Sequence, residues 1–384
     1  MRTIRYKPAF LLFFVLSCAG SPPPEAPVIE EIVVPVPETQ APREYYLTIV
    51  AAGDNLIHDP ILKACFKDGG YSFDSVYDQI RGYILPADIA FVNQETILGN
   101  DTLGYSGYPL FCTPPEAGAA LIAAGFNVIN HASNHVMDRG EAGILSSIAY
   151  WDTHKDVHYL GIHRSEDERR NRQVIISKNN FRVGFLAYTF STNGIPLPRG
   201  KSHLVSVTEN EKMAAEIDAL RPLCDYLVVS MHWGDEYLLA ASKEQKRFAA
   251  FLAEHRVDLV IGHHPHVLGP LEIMERPDGK SMTVFYSLGN FFSAHANPVK
   301  EALLGGLMYV RLKKNEGEIS VEEVSLIPVI THYETDRSDF TIYPLQEYTK
   351  ELAAKHWKRT GDPEMTVNYF VDKSRELFGD ACSF

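Results

Sequence analysis

At 384 residues, 45% of them hydrophobic and 22% charged, the chain is long enough for a sizeable core, and its composition excludes global disorder. Its 49 Asp and Glu outweigh 36 Lys and Arg, for a formal charge of -13. A chain this acidic is a poor general nucleic-acid binder, because phosphate contacts need a basic surface.

In chain order, Arg2, Arg5 and Lys7 precede the apolar run from Ala9 to Leu16. A basic head before a short apolar run reads as an export signal, too short to span a bilayer. The run ends in Val15-Leu16-Ser17-Cys18, which resembles a bacterial lipobox. Residues 1–18 are therefore expected to be a lipoprotein-type signal, with an ordinary signal peptide as the alternative. A lipidated Cys18 would place the protein at the cell envelope, held to a membrane surface. From Ser21 to Glu44, seven Pro in 24 residues favour extended backbone, so residues 19–44 read as a semi-rigid tether. The β-prone stretch Ile32 to Val36 keeps a strand open as an alternative. The five Cys show no close metal-type spacing, and no disulfide pairing can be assigned.

From residue 45 apolar β-prone runs alternate with helical patterns. Strands are expected at Tyr46 to Ala52, Ile89 to Val92, Phe126 to Ile129, Tyr226 to Met231 and Val257 to Ile261. Helices are expected at Phe73 to Tyr83, Pro115 to Ala124, Gly140 to Thr153, Glu209 to Leu220 and Lys243 to His255. That alternation predicts an α/β domain with mostly buried strands. Later runs at Thr283 to Ser287, Leu307 to Leu312 and Ile319 to Ile330 have no helices between them and are expected to form a second, antiparallel sheet. The domain is placed at 45–340, with a helical appendage at 341–384.

The residues that carry chemistry stand at the ends of these strands, where ligands of open α/β sheets bind. They are Asp54 and His58 after the first strand, and Asn93 and Glu95 after the second. Asn134 and His135 follow the third, His232 ends the fourth, and His263, His264 and His266 follow the fifth. With His131, seven of the 15 His fall in these segments. Carboxylate oxygen and imidazole nitrogen are good ligands for zinc, manganese and iron. Two such ions can activate a bridging water and clamp a phosphoryl group, while a neighbouring His protonates the leaving oxygen. Taken singly, each segment also has a structural reading: a turn or helix cap for Asp54, a surface carboxylate for Glu95, a loop hydrogen-bonder for Asn134 or His135, a buried satisfied imidazole for His232. Glu236, Tyr237 and Glu272 are candidates to orient the ligands, and Asn290 is either a substrate contact or part of a Gly-Asn turn.

Together, GDNLIH (53–58), FVNQE (91–95), NHASNHVMDRG (130–140), HWGDEY (232–237), GHHPHVLGPLE (262–272) and YSLGNF (286–291) resemble the bacterial capsule synthesis family CapA, also called the poly-gamma-glutamate biosynthesis (PGA_cap) family. The resemblance runs from about Leu47 to Phe292. It implies a fold similar to calcineurin-like metallophosphoesterases, a layered αββα sandwich with a metal centre at the strand ends. It implies that Asp54, Glu95, Asn134, His232, His264 and His266 bind metal, two divalent ions of manganese, zinc or iron, and that His135 is the acid. His58, Asn93 and His263 are possible additional ligands. His58 lies four residues after Asp54 where the phosphoesterase pattern has one spacer, and His263 is inserted into the Gly-x-His pattern. Two function classes follow. One is a metal-dependent hydrolase of phosphoester-type bonds in capsule or poly-gamma-glutamate biosynthesis, acting on an anionic extracellular polymer or a phosphoester. The other is a non-catalytic accessory or polymer-binding subunit of a membrane polymer-synthesis complex. A nuclease is disfavoured by charge and export.

Overall fold

The structure, a computed structural model, describes residues 43–383. The expected signal at 1–18 and nearly all of the tether at 19–44 lie outside the described residues. Among the described residues no helix is long and apolar enough to cross a membrane.

The strand Tyr45–Asn55 organises the first sheet. From Leu47 onward nearly every residue is buried, as a strand covered on both faces requires. On one edge it pairs in parallel with Ile89–Gln94, which leads on to Val128–Asn130 and His158–Leu160. On the other it pairs antiparallel with Leu304–Asn315, followed by Glu318–His332 and Thr341–Pro344. The short strand Asn290–Phe292 joins its carboxyl end. A second sheet has Ser281–Phe285, Leu259–His263, Tyr226–His232 and Phe181–Thr189 as parallel central strands, with Leu271–Glu275 and Val174–Lys178 antiparallel at its edges.

Side-chain alternation makes the layers. Val228, Leu259, Ile261 and Phe285 of the second sheet share one apolar cluster with Leu47, Ile49 and Ala51 of the first. Their neighbours Leu227, Val229, Val260 and Val284 pack instead with Met213, Ile217, Phe248 and Leu252 of the helices Asn210–Leu220 and Lys243–Glu254. The helices Pro115–Ala124 and Gly140–Trp151 connect the parallel strands of the first sheet and cover its other face with Leu121, Ile144 and Ile148. The result is the expected αββα sandwich. Local sequence sets the helix ends. Ser242 and Gln245 form a reciprocal capping box at the start of Lys243–Glu254. Pro115 opens its helix and Gly125, at φ 111°, closes it.

Several expectations are corrected. The runs around Leu307 to Leu312 and Ile319 to Ile330 form an antiparallel hairpin, but it extends the first sheet, because the free edge of Tyr45–Asn55 needs backbone partners. The run at Thr283 to Ser287 begins at Ser281 and is a parallel member of the second sheet. The stretch Phe73 to Tyr83 is a 3₁₀ segment, Asp74–Ile80, running into a short α-helix. Residues 341–383, set apart above as a helical appendage, contain the helices Lys350–Lys355 and Val367–Phe378. They also contribute a strand to the first sheet and bury Leu345, Phe370 and Phe378 in the main core. Cys65, Cys112, Cys224 and Cys382 are free thiols.

Candidate metal centre

Strand register lines up polar groups at one end of each sheet. Asn290, Asp54, Asn93 and Asn130 form a cross-strand row in the first sheet. Thr189, His232 and His263 form a row in the second. The register slips beside Gly53, between Ala52 and Asp54, and such a slip re-aims the neighbouring side chains. The fit is close: a Cβ on Gly53 would stand 2.0 Å from the Gly289 carbonyl oxygen, and the Asp54 N–H donates to that same oxygen at 2.9 Å.

Asp54 is fully buried and held from both sheets. Its Oδ1 accepts from Asn93 Nδ2 at 2.8 Å, and Asn93 Oδ1 accepts in turn from Asn130 Nδ2 at 2.8 Å. Its Oδ2 accepts from the His264 backbone N–H and lies 3.1 Å from His266 Nδ1. Burial opposes ionisation, but the His263 and His266 imidazoles beside it hold the Asp54 pKa well below the usual carboxylate range. Glu95 is also fully buried, and neither of its carboxylate oxygens has a hydrogen-bond partner. Burial, reinforced by the charges of Asp54, Glu236 and Asp138, pushes its pKa well above the usual range.

The imidazoles close the centre. His232 Nε2 lies 3.0 Å from Asn134 Oδ1 and 3.7 Å from Glu95 Oε1. Burial and the neighbouring His264 lower the His232 pKa, and burial with His266 lowers that of His264 to about 3. Both rings are therefore neutral near pH 7, the form that binds a metal. His264 Nδ1 is buried without a partner. His264 and His266 occupy positive φ, 95° and 60°, which is costly for side chains of their size and marks a backbone held in place by its surroundings. Two groups of donor atoms result: Asp54, Glu95 and His232, and Glu95, His264 and His266, with all atoms of each group within 4.8 Å of one another. They share Glu95. Its orphaned oxygens and the free His264 Nδ1 match a divalent cation, which supplies the positive charge the buried carboxylates lack.

The other expected residues sit around this core. Asn93 fastens Asp54, as described, and Asn134 reaches His232. His135 Nδ1 is bonded to Asp138 Oδ2 at 2.8 Å, while Nε2 lies 3.5 Å from Asn193 Nδ2. Asp138 also accepts from the Phe111 N–H at 2.8 Å, so it fixes the His135 ring, a role the sequence reading did not assign it. His263 lies outside both groups. Its ring stacks on Phe91 at 5.7 Å, and its Nδ1 is 3.3 Å from Asp54 Oδ1 without hydrogen-bond alignment. His58 also lies outside them: its Nδ1 accepts from the Ala294 N–H at 3.2 Å and its ring packs on His295 at 4.6 Å. His295, absent from the sequence reading, packs 5.1 Å from the His266 ring. Its one sequence signal is its position shortly after YSLGNF. Glu272 bonds the Tyr286 hydroxyl at 2.7 Å, and Asn290 pairs beside Asp54 and donates to the Ala302 carbonyl. The half-exposed rings of Phe190 and Tyr237 lie 4.8 Å from the His264 ring and 6.1 Å from the His266 ring.

Comparison with known proteins places these residues in a family. The family described as bacterial capsule synthesis protein PGA_cap matches residues 48–295. The capsule biosynthesis protein CapA of Bacillus anthracis is 27% identical over 269 residues, covering 68% of this chain and 62% of that one. The PGA biosynthesis protein CapA of Bacillus subtilis (strain 168) is 27% identical over 180 residues, covering 47% and 46%. The chain thus spans less than two thirds of the length of either relative. Among solved structures, a novel phosphatase from Mycoplasma pneumoniae aligns with a TM-score of 0.46 at 15% identity, over 75% of this chain and 95% of that one. The calcineurin-like phosphoesterase YfkN of Bacillus subtilis aligns with a TM-score of 0.43 at 15% identity, over 86% and 99%. With the family match covering well over half of its length, the chain belongs to the bacterial capsule synthesis protein PGA_cap family.

Proposed function

We propose that the chain is a divalent-metal-dependent hydrolase of phosphoester-type bonds, exported and held at the cell envelope by lipid on Cys18, that acts in capsule or poly-gamma-glutamate biosynthesis. The observation that carries this reading is the buried Glu95, shared by two groups of ligand atoms and satisfied by neither. Asp54 and His232 would hold one cation, His264 and His266 a second, with Glu95 between them and the Asn134 amide oxygen beside His232. A cation bound there supplies a Lewis acid for a phosphoryl oxygen and a bound water of lowered pKa.

The chain's own residues do the rest. Asn93, fastened by Asn130, keeps the Asp54 carboxylate in one orientation. Asp138 holds the His135 Nδ1 proton, so a protonated His135 presents Nε2–H to the leaving oxygen. Phe190 and Tyr237 pack beside the His264 and His266 rings and help to hold them in place. An anionic polymer or phosphoester is the substrate, and membrane polymer-synthesis subunits are the partners this setting implies.

A second reading is a non-catalytic polymer-binding subunit, favoured by the amide linkage of poly-gamma-glutamate, which offers no phosphoester to cut. Metal analysis of the purified chain, from cells grown with manganese, zinc or iron, tests the centre. Less than about half an equivalent of metal sinks both the centre and the hydrolase. Phosphodiester hydrolysis that disappears in His135→Ala with metal retained supports the hydrolase. Full metal and polymer binding without hydrolysis supports the subunit.

A further inference from the structure

The open edge of the sandwich holds a cavity that the metal centre does not use. There the chain crosses from the first sheet to the second: His158–Leu160 ends, the short helix Glu166–Asn171 follows, and Val174–Lys178 begins. Beneath this crossover lies a cavity of about 310 Å³, with Leu160, Val174, Phe185 and Leu220 as apolar walls and His163 and Arg169 among its polar residues. That volume is at the small end of the roughly 300–1,000 Å³ that small-molecule sites span.

Both polar residues carry an unmatched group. Arg169 is locked in place, its Nε donating to Glu216 at 2.8 Å and its Nη1 to the Ser202 and Val205 carbonyls at 3.2 and 3.1 Å. Its side chain is only 7% exposed, and Nη2 is buried without a partner. His163 Nε2 lies 3.1 Å from Ser206 Oγ, while Nδ1 is buried without a partner. Burial, together with the Arg169 charge, lowers the His163 pKa to about 3, so the ring is neutral. The Ser206 hydroxyl can donate to Nε2, and the ring proton is then carried on Nδ1. Two buried polar atoms without partners are costly in a finished protein, and here both belong to residues that line one apolar-walled cavity. Arg170, Arg172 and Lys212 also line it, against Glu166 and Glu216, so its charge favours an anion.

We propose that this cavity binds a small amphiphilic anion, a carboxylate on a short apolar body. The two carboxylate oxygens take Arg169 Nη2 and His163 Nδ1, and the body lies on Leu160, Val174, Phe185 and Leu220. Two single donors suit a carboxylate, whereas a phosphoryl group with three charged oxygens would leave part of itself against apolar walls. The site is separate from the metal centre and stands whether or not the hydrolase reading holds.

Octanoate is the probe, titrated calorimetrically into the full chain, with octan-1-ol as the uncharged control. Saturable octanoate binding is expected, about tenfold or more tighter than that of octan-1-ol, the worth of charge-assisted hydrogen bonds. Ala215 and Ala219 are exposed on the helix Asn210–Leu220 and line the cavity. Ala215→Trp or Ala219→Trp would fill it without removing a bond and should abolish binding with the helical circular dichroism unchanged. No saturable binding at millimolar octanoate, equal affinity for octan-1-ol, or binding unchanged in both Trp variants would overturn the proposal. The comparison of the two probes needs no variant and decides the matter even if both substitutions unfold the chain.

Discussion

Glu95→Gln separates stability from metal binding. Without metal, Glu95 is pushed toward its neutral form by burial and by Asp54, and its oxygens accept no hydrogen bond. Gln has nearly the same shape, so the substitution removes neither a charge nor a hydrogen bond. The chelated variant should unfold within about 1 kcal/mol of the parent, as ordinary substitutions do. With metal the outcome reverses. Glu95 is the one residue common to both ligand groups, and removing one partner of a buried charge interaction costs about 3–5 kcal/mol, roughly a hundredfold to several thousandfold in affinity. The sign of the pH dependence follows. Cation binding must displace the proton that the raised pKa keeps on Glu95, so metal affinity rises with pH up to that pKa and levels off above it. The Gln variant should release one proton fewer. Urea unfolding in chelator gives the stability, and manganese calorimetry in buffers of different ionisation enthalpy gives affinity and proton release. A variant destabilised by several kcal/mol without metal, or one that keeps parental manganese affinity, would refute the argument.

Other consequences are equally direct. Asp138→Asn should leave metal content intact while lowering phosphodiester turnover about a hundredfold or more, because the amide no longer holds the His135 imidazolium; unchanged turnover would remove Asp138 from the mechanism. His131, His163 and His356 lie outside the metal centre, and burial lowers each to about 3 from the ordinary 6.5. The unfolded chain takes up protons below about 6.5 and these native rings do not, so stability falls as pH drops from there toward 3. Near about pH 5 each contributes a loss of ~2 kcal/mol, together about 6 kcal/mol. Urea midpoints of the chelated protein at the two pH values measure it, and a pH-independent midpoint contradicts it. Gly53→Ala drives a methyl to 2.0 Å from the Gly289 carbonyl. It should cost about 1–3 kcal/mol and, by displacing Asp54, weaken manganese binding; parental melting temperature and manganese affinity together would contradict the account of the register slip.

The strand-end segments were legible because buried parallel strands are short apolar runs whose carboxyl ends are marked by an abrupt change to polar residues. The helices expected at Pro115 to Ala124 and Lys243 to His255 agree within a residue with Pro115–Ala124 and Lys243–Glu254. Three successive imidazoles in His263-His264-Pro265-His266 were not separable by spacing. His263 is the last strand residue and its ring lies on Phe91, whereas His264 and His266 follow turns at positive φ toward Glu95. The function of Asp138 and the place of His295 depend on contacts with Phe111, His135 and His266, which arise between distant segments.

By itself, then, the sequence determined the central strands Tyr45–Asn55, Ile89–Gln94, Tyr226–His232 and Leu259–His263, most of the helices between strands and the donor residues at the strand ends, because periodicity and turn chemistry act within a few residues. Only the tertiary structure decided that Asp54 and Glu95, borne by the first sheet, meet His232, His264 and His266, borne by the second, and that Glu95 is shared between them. It also decided that the hairpin Leu304–His332 completes the first sheet and that residues 341–383 close its core. Strand partner, register and the facing of two sheets are settled by backbone hydrogen bonds and apolar contacts between residues far apart in the chain. No local pattern encodes those pairings.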